Sequence, residues 1–514
     1  MFRKILIANR GEIAVRLIRT CRALGVRAAV VYSEADRDAL HLRLADEALP
    51  IGPAPPAESY LNADRILEAA KACGAEAVHP GYGFLSERAA FAAACEEAGL
   101  VFIGPSPETL RWAGDKIASR EAAARAGVPV IPAAGEAGPE DGDALAREAD
   151  RLGYPLLVKA AAGGGGRGMR RVEEAAGLEE GFRAARAEAR MAFGDDRVYL
   201  EALLPSPRHV EVQILGDGRG AAIHLGDREC SLQRRHQKVI EESPAPGLPD
   251  DVRAGMREAA LRLVRQVRYR GAGTVEFLLE GAGGFRFLEV NARLQVEHPV
   301  TEMVTGLDLA ALQLRVAAGE GLPLAQEEVR FSGHAIEARL YAEDPARGFL
   351  PQIGRIDALH LPGGSGVRVD AGVAAGSEVG AEYDPLLAKI IAWGESRTTA
   401  ADRLSGALAE LQISGPRTNQ AFLAAVAAHP AFRAGEISTG FLAENPGLRE
   451  GRPPEEGLDD ARLAAALAIH LDGGGGGGGA GEGEGARDAQ GAGGPPGGAD
   501  PWSRPGGWIP GGLE

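Results

Sequence analysis

The sequence predicts an α/β fold that opens with a doubly wound parallel sheet, and three observations carry that prediction. Roughly the first hundred residues alternate short apolar runs with helical patterns, which is the signature of β-α-β units. Polar and glycine-bearing loops follow several of those runs, at the strand ends where open α/β sheets take their ligands. The length of 514 residues exceeds what one small core organises and implies two or three packed domains.

Taken in order, Lys4–Ala8 reads as a strand, Gly11–Leu24 as a helix and Ala28–Tyr32 as a second strand. Ile66–Lys71 is helical, Ala77–Val78 is a short strand entering the loop HPGYGFLSE, and Leu100–Ile103 is another strand. The texture changes near Asp115. Helix Lys116–Ala126 runs into GVPVIP, and a small segment from about 131 to 203 carries the loop AAAGGGGRGMR. Strands are expected at His209–Leu215, Ala221–Leu225, Gly273–Leu279 and Phe285–Val290, followed by a unit of short strands and helices over 331–445. The expected division is 1–113, 114–330, 331–445 and a tail over 446–514. In that tail Asp472 precedes seven consecutive glycines, and such composition buries too little to offset its ordering entropy. A flexible linker is expected there.

Composition narrows the function. The apolar fraction of 45% and charged fraction of 25% are those of an ordinary globular protein. Apolar runs stay short of the eighteen residues a membrane span needs, and the N-terminus lacks the apolar region and cleavage site of a secretory signal. A net charge of −16 speaks against a general nucleic-acid binder, whose footprint is basic. Anionic small molecules remain open, because a basic pocket can sit in an acidic protein. Cys21, Cys73, Cys95 and Cys230 are scattered without metal-ligand spacing, so structural zinc is not expected and a reduced, cytoplasmic setting is.

Three groups of residues carry chemistry. In the loop Gly163–Gly168 glycines permit positive φ and let main-chain N–H groups approach a phosphate, with Lys159 just upstream as a point charge. A flexible turn is the plainer explanation, and without a following Gly-Lys-Ser/Thr the loop is not of Walker type. In VEFLLE and FRFLEVNARLQVEH, Glu289 and Asn291 share a strand face, and with Glu276 they make an all-oxygen set suited to Mg²⁺. Continued extension would align Arg293, Gln295 and Glu297 on one face, alternating with Ala292, Leu294 and Val296; a solvated strand edge is the alternative. Finally, Arg234, Arg235, His236 and Lys238 form a basic run that is an ordinary surface patch unless it faces the metal site. His209 and His236, taken singly, are more often structural, and Cys230 reads as a small buried thiol.

These segments resemble a known family. IANRGEIAVRLIR, HPGYGFLSE, GDKIASR, VKAAAGGGGRGMR, PRHVEVQI, DRECSLQRRHQKVIEESPAP, GTVEFLL and FLEVNARLQVEHPVTE are similar, in order, to the biotin carboxylase domains of acyl-CoA and pyruvate carboxylases. With IEARLYAEDP and YDPLLAKIIAWG the likeness covers roughly residues 1–445. The resemblance implies an ATP-grasp fold with a biotin carboxylase C-terminal domain, and a ligase that carboxylates biotin with ATP and bicarbonate. It implies that Lys116, Lys159 and the loop glycines Gly164, Gly165 and Gly166 bind ATP phosphates. Glu201 through Leu204 would lie beside adenine, with His209, Gln233 and His236 completing the nucleotide site. Glu276, Glu289 and Asn291 would hold Mg²⁺ or Mn²⁺. Lys238, Arg293, Gln295 and Val296 would take bicarbonate, Glu297 would be the general base, and Arg339 would stabilise the biotin enolate.

The implied partners are a biotin carboxyl carrier domain or protein and a carboxyltransferase subunit, in a homodimer or larger complex. Nucleic acid and membrane are not expected partners. No Met-Lys-Met motif occurs, so biotin is expected on another chain or domain. The Trp502–Trp508 stretch is similar to the segment C-terminal to this domain in long α subunits of acyl-CoA carboxylases. Two departures from the family pattern stand out: Ala292, where threonine or proline is usual, and ISGPRTNQAFL. Two rival readings are another ATP-grasp ligase acting through a different acyl phosphate and an inactive scaffold for a carboxyltransferase.

Overall fold

In the computed structural model, residues 1–134, 142–163, 168–281 and 284–451 are described. Gly164, Gly165 and Gly166 of the glycine-rich loop and the tail from 452 onward lie outside them.

The N-terminal sheet is fully parallel, with strands in the order Glu47–Pro50, Arg27–Tyr32, Lys4–Ile7, Ala77–His79, Val101–Phe102. Its central strand, KILI, has Ile5, Leu6 and Ile7 fully buried, as expected where helices cover both faces. Helix Gly11–Ala23 packs Ile13, Leu17, Ile18 and Cys21 into one core cluster with Ile5 and Val30. It also buries the charged Glu12 and Arg16, which leave the apolar cluster for ion pairs with distant parts of the chain.

The second and larger sheet has eight antiparallel strands: Gly284–Asn291, Arg270–Glu280, Arg208–Asp217, Ala222–Arg234, Gln237–Ser243, His334–Tyr341, Leu386–Gly394 and Val367–Ala371. It is continuous across position 331, because Gln237–Ser243 pairs directly with His334–Tyr341. Strands expected to be short are long here. Arg208–Asp217 spans ten residues and Ala222–Arg234 thirteen, so the basic run begins as strand rather than loop. Burial on both faces explains the mismatch, since buried charges such as Glu211 and Arg228 break the apolar alternation by which strands are read. The two strands flanking the basic run meet at Arg235 and His236, both at positive φ (50° and 66°). That two-residue turn matches the twist of a hairpin but costs non-glycine residues about 1–2 kcal/mol each.

A third, four-stranded sheet stands apart: Ala133–Ala134, Val198–Ala202, Leu156–Ala160, Met169–Val172. Helix Leu178–Phe193 covers it with Leu178, Phe182, Ala185 and Ala189, and the unit has its own small core. Its independence from the other cores leaves a gap over the central sheet. No helix among the described residues is long and apolar enough to cross a membrane.

Candidate active site

The gap is a cleft of about 970 Å³ with the small sheet on one side and the large antiparallel sheet on the other. All sixteen expected site residues that lie among those described line it.

On the small-sheet side, Lys159 and Glu201 sit on adjacent strands, a step apart in register, and form a buried ion pair. Tyr199 donates to the second oxygen of Glu201 at 3.3 Å. Leu204 lines the cleft just beyond that strand. Lys116 opens helix Lys116–Arg125, whose first N–H groups are capped by Asp115, and its ammonium donates to Glu289 at 2.5 Å.

The opposite wall is built by cross-strand pairing. Glu276 faces Glu289, and Thr274 faces Asn291, across antiparallel strands. Glu276 Oε2 lies 2.6 Å from His209 Nε2, and its Oε1 accepts from Asn291 Nδ2 at 2.6 Å and from Lys238 Nζ at 3.0 Å. Burial works against the charge of Glu276, but Lys238 and His209 outweigh it and hold the carboxyl far below its ordinary range. Burial likewise opposes charge on Glu289, and Lys116 brings it down to about 2. His209 is buried, yet Glu276 raises its pKa above the ordinary value. Two ionised carboxylates directly opposite each other repel unless a cation lies between them. Together with the Asn291 amide oxygen they fit a Mg²⁺ site of hard oxygen donors.

Beyond Asn291 the chain does not stay extended as the alternation predicted. Residues 292–297 bend into a turn, and Glu297 sits at the N-terminal end of helix His298–Thr305. The intended convergence survives the bend: Arg293 Nη1 donates to Gln295 Oε1 at 2.6 Å, and Gln295 Nε2 donates to Thr274 at 2.7 Å. Ala292 is turned into the apolar core, away from the cleft.

Lys238 is the hub. Its ammonium contacts Glu211 (2.9 Å), Glu276 (3.0 Å) and Glu297 (2.6 Å). Burial alone would lower its pKa, and the surrounding anions, among them Glu211, Glu276 and Glu297, raise it well above the usual value instead. Arg339 Nη2 donates to the other oxygen of Glu297 at 2.9 Å. Glu297 is fully buried, and Lys238, Arg339 and Arg228 overcome that burial to keep its pKa low. Cys230 lies 4.0 Å from Glu297, with its thiol pushed up by burial. Glu211, Cys230 and Glu297 cluster tightly enough to hold an ion, but the Lys238 ammonium already bonds both carboxylates. Of the basic run, Lys238 therefore faces the acidic wall, Arg234 pairs with Glu343 at 3.5 Å, and Arg235 and His236 are exposed. His236, at the exposed hairpin tip, has its pKa lowered by partial desolvation and by nearby Lys159, and Gln233 lies opposite Lys238 in register.

Some residues that build the site were not singled out from the sequence. Glu211 binds Lys238 and Arg228, and a lone glutamate inside the apolar run VEVQI was its signal. Glu87 of HPGYGFLSE accepts from Arg293 Nε at 3.0 Å and from the N–H of Ala292 at 3.1 Å. Asn419, within the departing segment ISGPRTNQAFL, donates to the main-chain oxygen of Arg339 at 3.0 Å.

Lysines on a small lid sheet and on a helix start, set against paired acidic residues on a large antiparallel sheet, define an ATP-grasp fold. Three family profiles match the chain: "Biotin carboxylase, N-terminal domain" over residues 1–110, "Carbamoyl-phosphate synthase L chain, ATP binding domain" over 115–325, and "Biotin carboxylase C-terminal domain" over 337–444. The chain belongs to the biotin carboxylase family. It is 49% identical to the biotin carboxylase of Halalkalibacterium halodurans over 454 residues, which cover 88% of this chain and 100% of that one. It is 48% identical to the mitochondrial methylcrotonoyl-CoA carboxylase subunit alpha of Mus musculus over 86% of this chain, but that match spans 62% of the longer relative. Among solved structures, the biotin carboxylase domain dimer of Hydrogenobacter thermophilus 2-oxoglutarate carboxylase, in complex with MgADP, ADP and bicarbonate, superposes with a TM-score of 0.84 at 44% identity. That likeness covers 88% of this chain and all of the other. A nucleotide complex of biotin carboxylase from Campylobacter jejuni gives a TM-score of 0.84 at 45% identity, covering 86% and 99%.

Proposed function

We propose that this chain carboxylates biotin, using ATP and bicarbonate, as the first half-reaction of an acyl-CoA carboxylase. One observation carries the reading: Glu297 is a buried carboxylate kept ionised between Lys238 and Arg339, in the same cleft as the paired carboxylates Glu276 and Glu289. A base, an anion pocket and a phosphate-metal wall thus share one enclosure.

In this mechanism Lys116, Lys159 and the main chain of Gly164–Gly166 bind the ATP phosphates. Glu201 through Leu204 lie beside adenine, with His209, Gln233 and His236 completing the nucleotide site. Glu276, Glu289 and Asn291 would hold Mg²⁺ or Mn²⁺, which neutralises phosphate charge when bound. Bicarbonate sits among Lys238, Arg293, Gln295 and the main chain of Val296. Glu297 takes the bicarbonate proton as its oxygen attacks the γ-phosphorus, the β–γ phosphoanhydride bond breaks, and ADP leaves. Lys238 and Arg293 offset charge on the carboxyphosphate so formed. Carboxyphosphate splits to carbon dioxide and phosphate, phosphate takes the biotin ureido proton, and Arg339 stabilises the enolate that attacks carbon dioxide. Water would destroy carboxyphosphate, so closure of the small sheet over the cleft protects it.

Biotin would arrive on a carrier domain or protein and leave towards a carboxyltransferase subunit, with this chain acting as a homodimer or in a larger assembly in the cytoplasm. The test is ADP release by the purified chain with Mg²⁺ and ATP, varying bicarbonate and free biotin independently. Release that requires bicarbonate and rises with biotin is expected. Folded protein that releases none under any combination would overturn the assignment in favour of a scaffold.

A further inference from the structure

Behind the cleft the central sheet carries buried charge that the mechanism above does not use. Glu241 and Glu337 stand directly opposite each other on adjacent antiparallel strands, both at 0% exposure. Neither oxygen of Glu337 has a hydrogen-bond partner. An ionised carboxylate is rarely left buried and unpartnered, and two in register repel. A single proton on the pair relieves both penalties. In front of the pair, Arg339 Nη2 contacts Glu241 and also donates to Glu297 at 2.9 Å. One guanidinium nitrogen therefore bridges the pair and the proposed base.

Other charged groups surround the pair. Lys389 reaches it from strand Leu386–Gly394, Lys238 from the strand of Glu241, Glu297 from the turn and Cys230 from strand Ala222–Arg234. Helix His298–Thr305, packed on the same strands, brings His298 and Glu302. Helix Arg397–Glu410 sends Arg397 to Glu242, the neighbour of Glu241 with the opposite strand parity. Burial raises the Glu241 carboxyl to about 7 against the pull of Arg339, and it raises Glu337 well above the carboxylate range against the pull of Lys389.

We infer that Glu241 and Glu337 hold one proton between them, and that the charge left on the pair fixes Arg339 against Glu297, which makes Glu241 a positioning residue for the biotin-facing guanidinium. The inference rests on the proposed biotin carboxylase reaction. The pair then has a specific role in turnover. When Glu297 accepts the bicarbonate proton, Arg339 loses its partner there and keeps its place through Glu241.

The experiment uses the full chain with Mg²⁺, ATP, bicarbonate and free biotin. Glu241→Gln should raise the KM for biotin tenfold or more while the KM for ATP moves less than twofold, and Glu241→Asp should recover part of the loss. Equal biotin KM values in wild type and Glu241→Gln would overturn the inference. Should Glu241→Gln fail to fold, the wild type still decides. Its biotin KM should climb as pH falls through about 7, where the pair takes a second proton and Arg339 loses its counter-charge, while the KM for ATP stays level. A biotin KM flat across that range would overturn the positioning role alone. A wild type that never responds to bicarbonate and biotin would overturn the proposed function and this inference with it.

Discussion

The fully buried ammonium of Lys389 donates a 2.8 Å hydrogen bond to the main-chain oxygen of Val296. The bond crosses 93 residues of sequence and ties the last strands of the chain to the turn that carries Gln295 and Glu297. Lys389 also lies 3.2 Å from Glu12 and 3.9 Å from Asp370, so its charge is shared with the first helix and an edge strand. Removing it as Lys389→Met should leave Glu12 without its cation and the Val296 carbonyl without its donor, while Asp370 keeps Arg368. Loss of one member of such a set costs about 3–5 kcal/mol, which urea unfolding would register as a large fall in midpoint.

Glu297→Gln keeps the shape of the side chain and removes the proposed base. Bicarbonate-dependent ADP release should fall by a factor of about 100 or more, in line with general-base catalysis, while nucleotide affinity changes little. Undiminished turnover in a steady-state assay would take Glu297 out of the chemistry.

Lys159→Ala removes the proposed phosphate cation on the small-sheet side and also frees Glu201, its buried partner. The ATP concentration needed for half-maximal rate should rise by about tenfold or more. A titration of ADP release against ATP reads this directly, and an unchanged half-maximal concentration would count against the phosphate contact.

His79 ends the fourth strand of the parallel sheet at 0% exposure, with Nδ1 accepting the N–H of Gly81 at 3.0 Å. Burial pushes its pKa down from 6.5 to about 3. The unfolded chain therefore binds a proton at His79 that the folded chain refuses, so its contribution to stability is complete above pH 6.5 and is lost as pH falls towards 3. Between pH 6.5 and about 5 one such group costs about 2 kcal/mol. Urea midpoints across that range should show His79→Asn flattening the slope by about one proton. An identical slope would mean that other groups carry the acid sensitivity.

Asn419 acts as a surrogate strand. Pairing of His334–Tyr341 with Gln237–Ser243 ends at Ala338, and Asn419 then donates to the oxygen of Arg339 (3.0 Å) and accepts from the N–H of Tyr341 (2.9 Å). Asn419→Ala should cost about 1–3 kcal/mol for the main-chain groups left bare. Because the strand segment so held carries Arg339, the variant should lose biotin-stimulated ADP release more than ATP affinity, which steady-state kinetics on both substrates would separate.

How far the sequence reached depended on how local each signal was. Four of the five strands of the parallel sheet were legible because they are short, apolar and separated by helices of clear period, whereas the half-exposed edge strand Glu47–Pro50 carries no such signal. The acidic pair, the basic run and the lysines were legible as residue types, and the likeness of whole blocks to one family supplied the roles proposed for them. The long strands through Glu211 and Arg228 were not, because those charges break the pattern that marks a strand. Nor was the bend after Asn291, where alternating polar residues imitate extension.

By itself, then, the sequence determined the α/β class, the described side chains that line the cleft and the family to which the chain belongs. Those properties follow from local periodicity and residue identity. Only the tertiary structure decided that Glu87 meets Arg293, that Asn419 and Lys389 brace the strand and turn of Arg339 and Glu297, and that Glu241 meets Glu337. These contacts join residues about 80 to 200 positions apart, and strand register with burial selects them, so no short window of sequence contains the information.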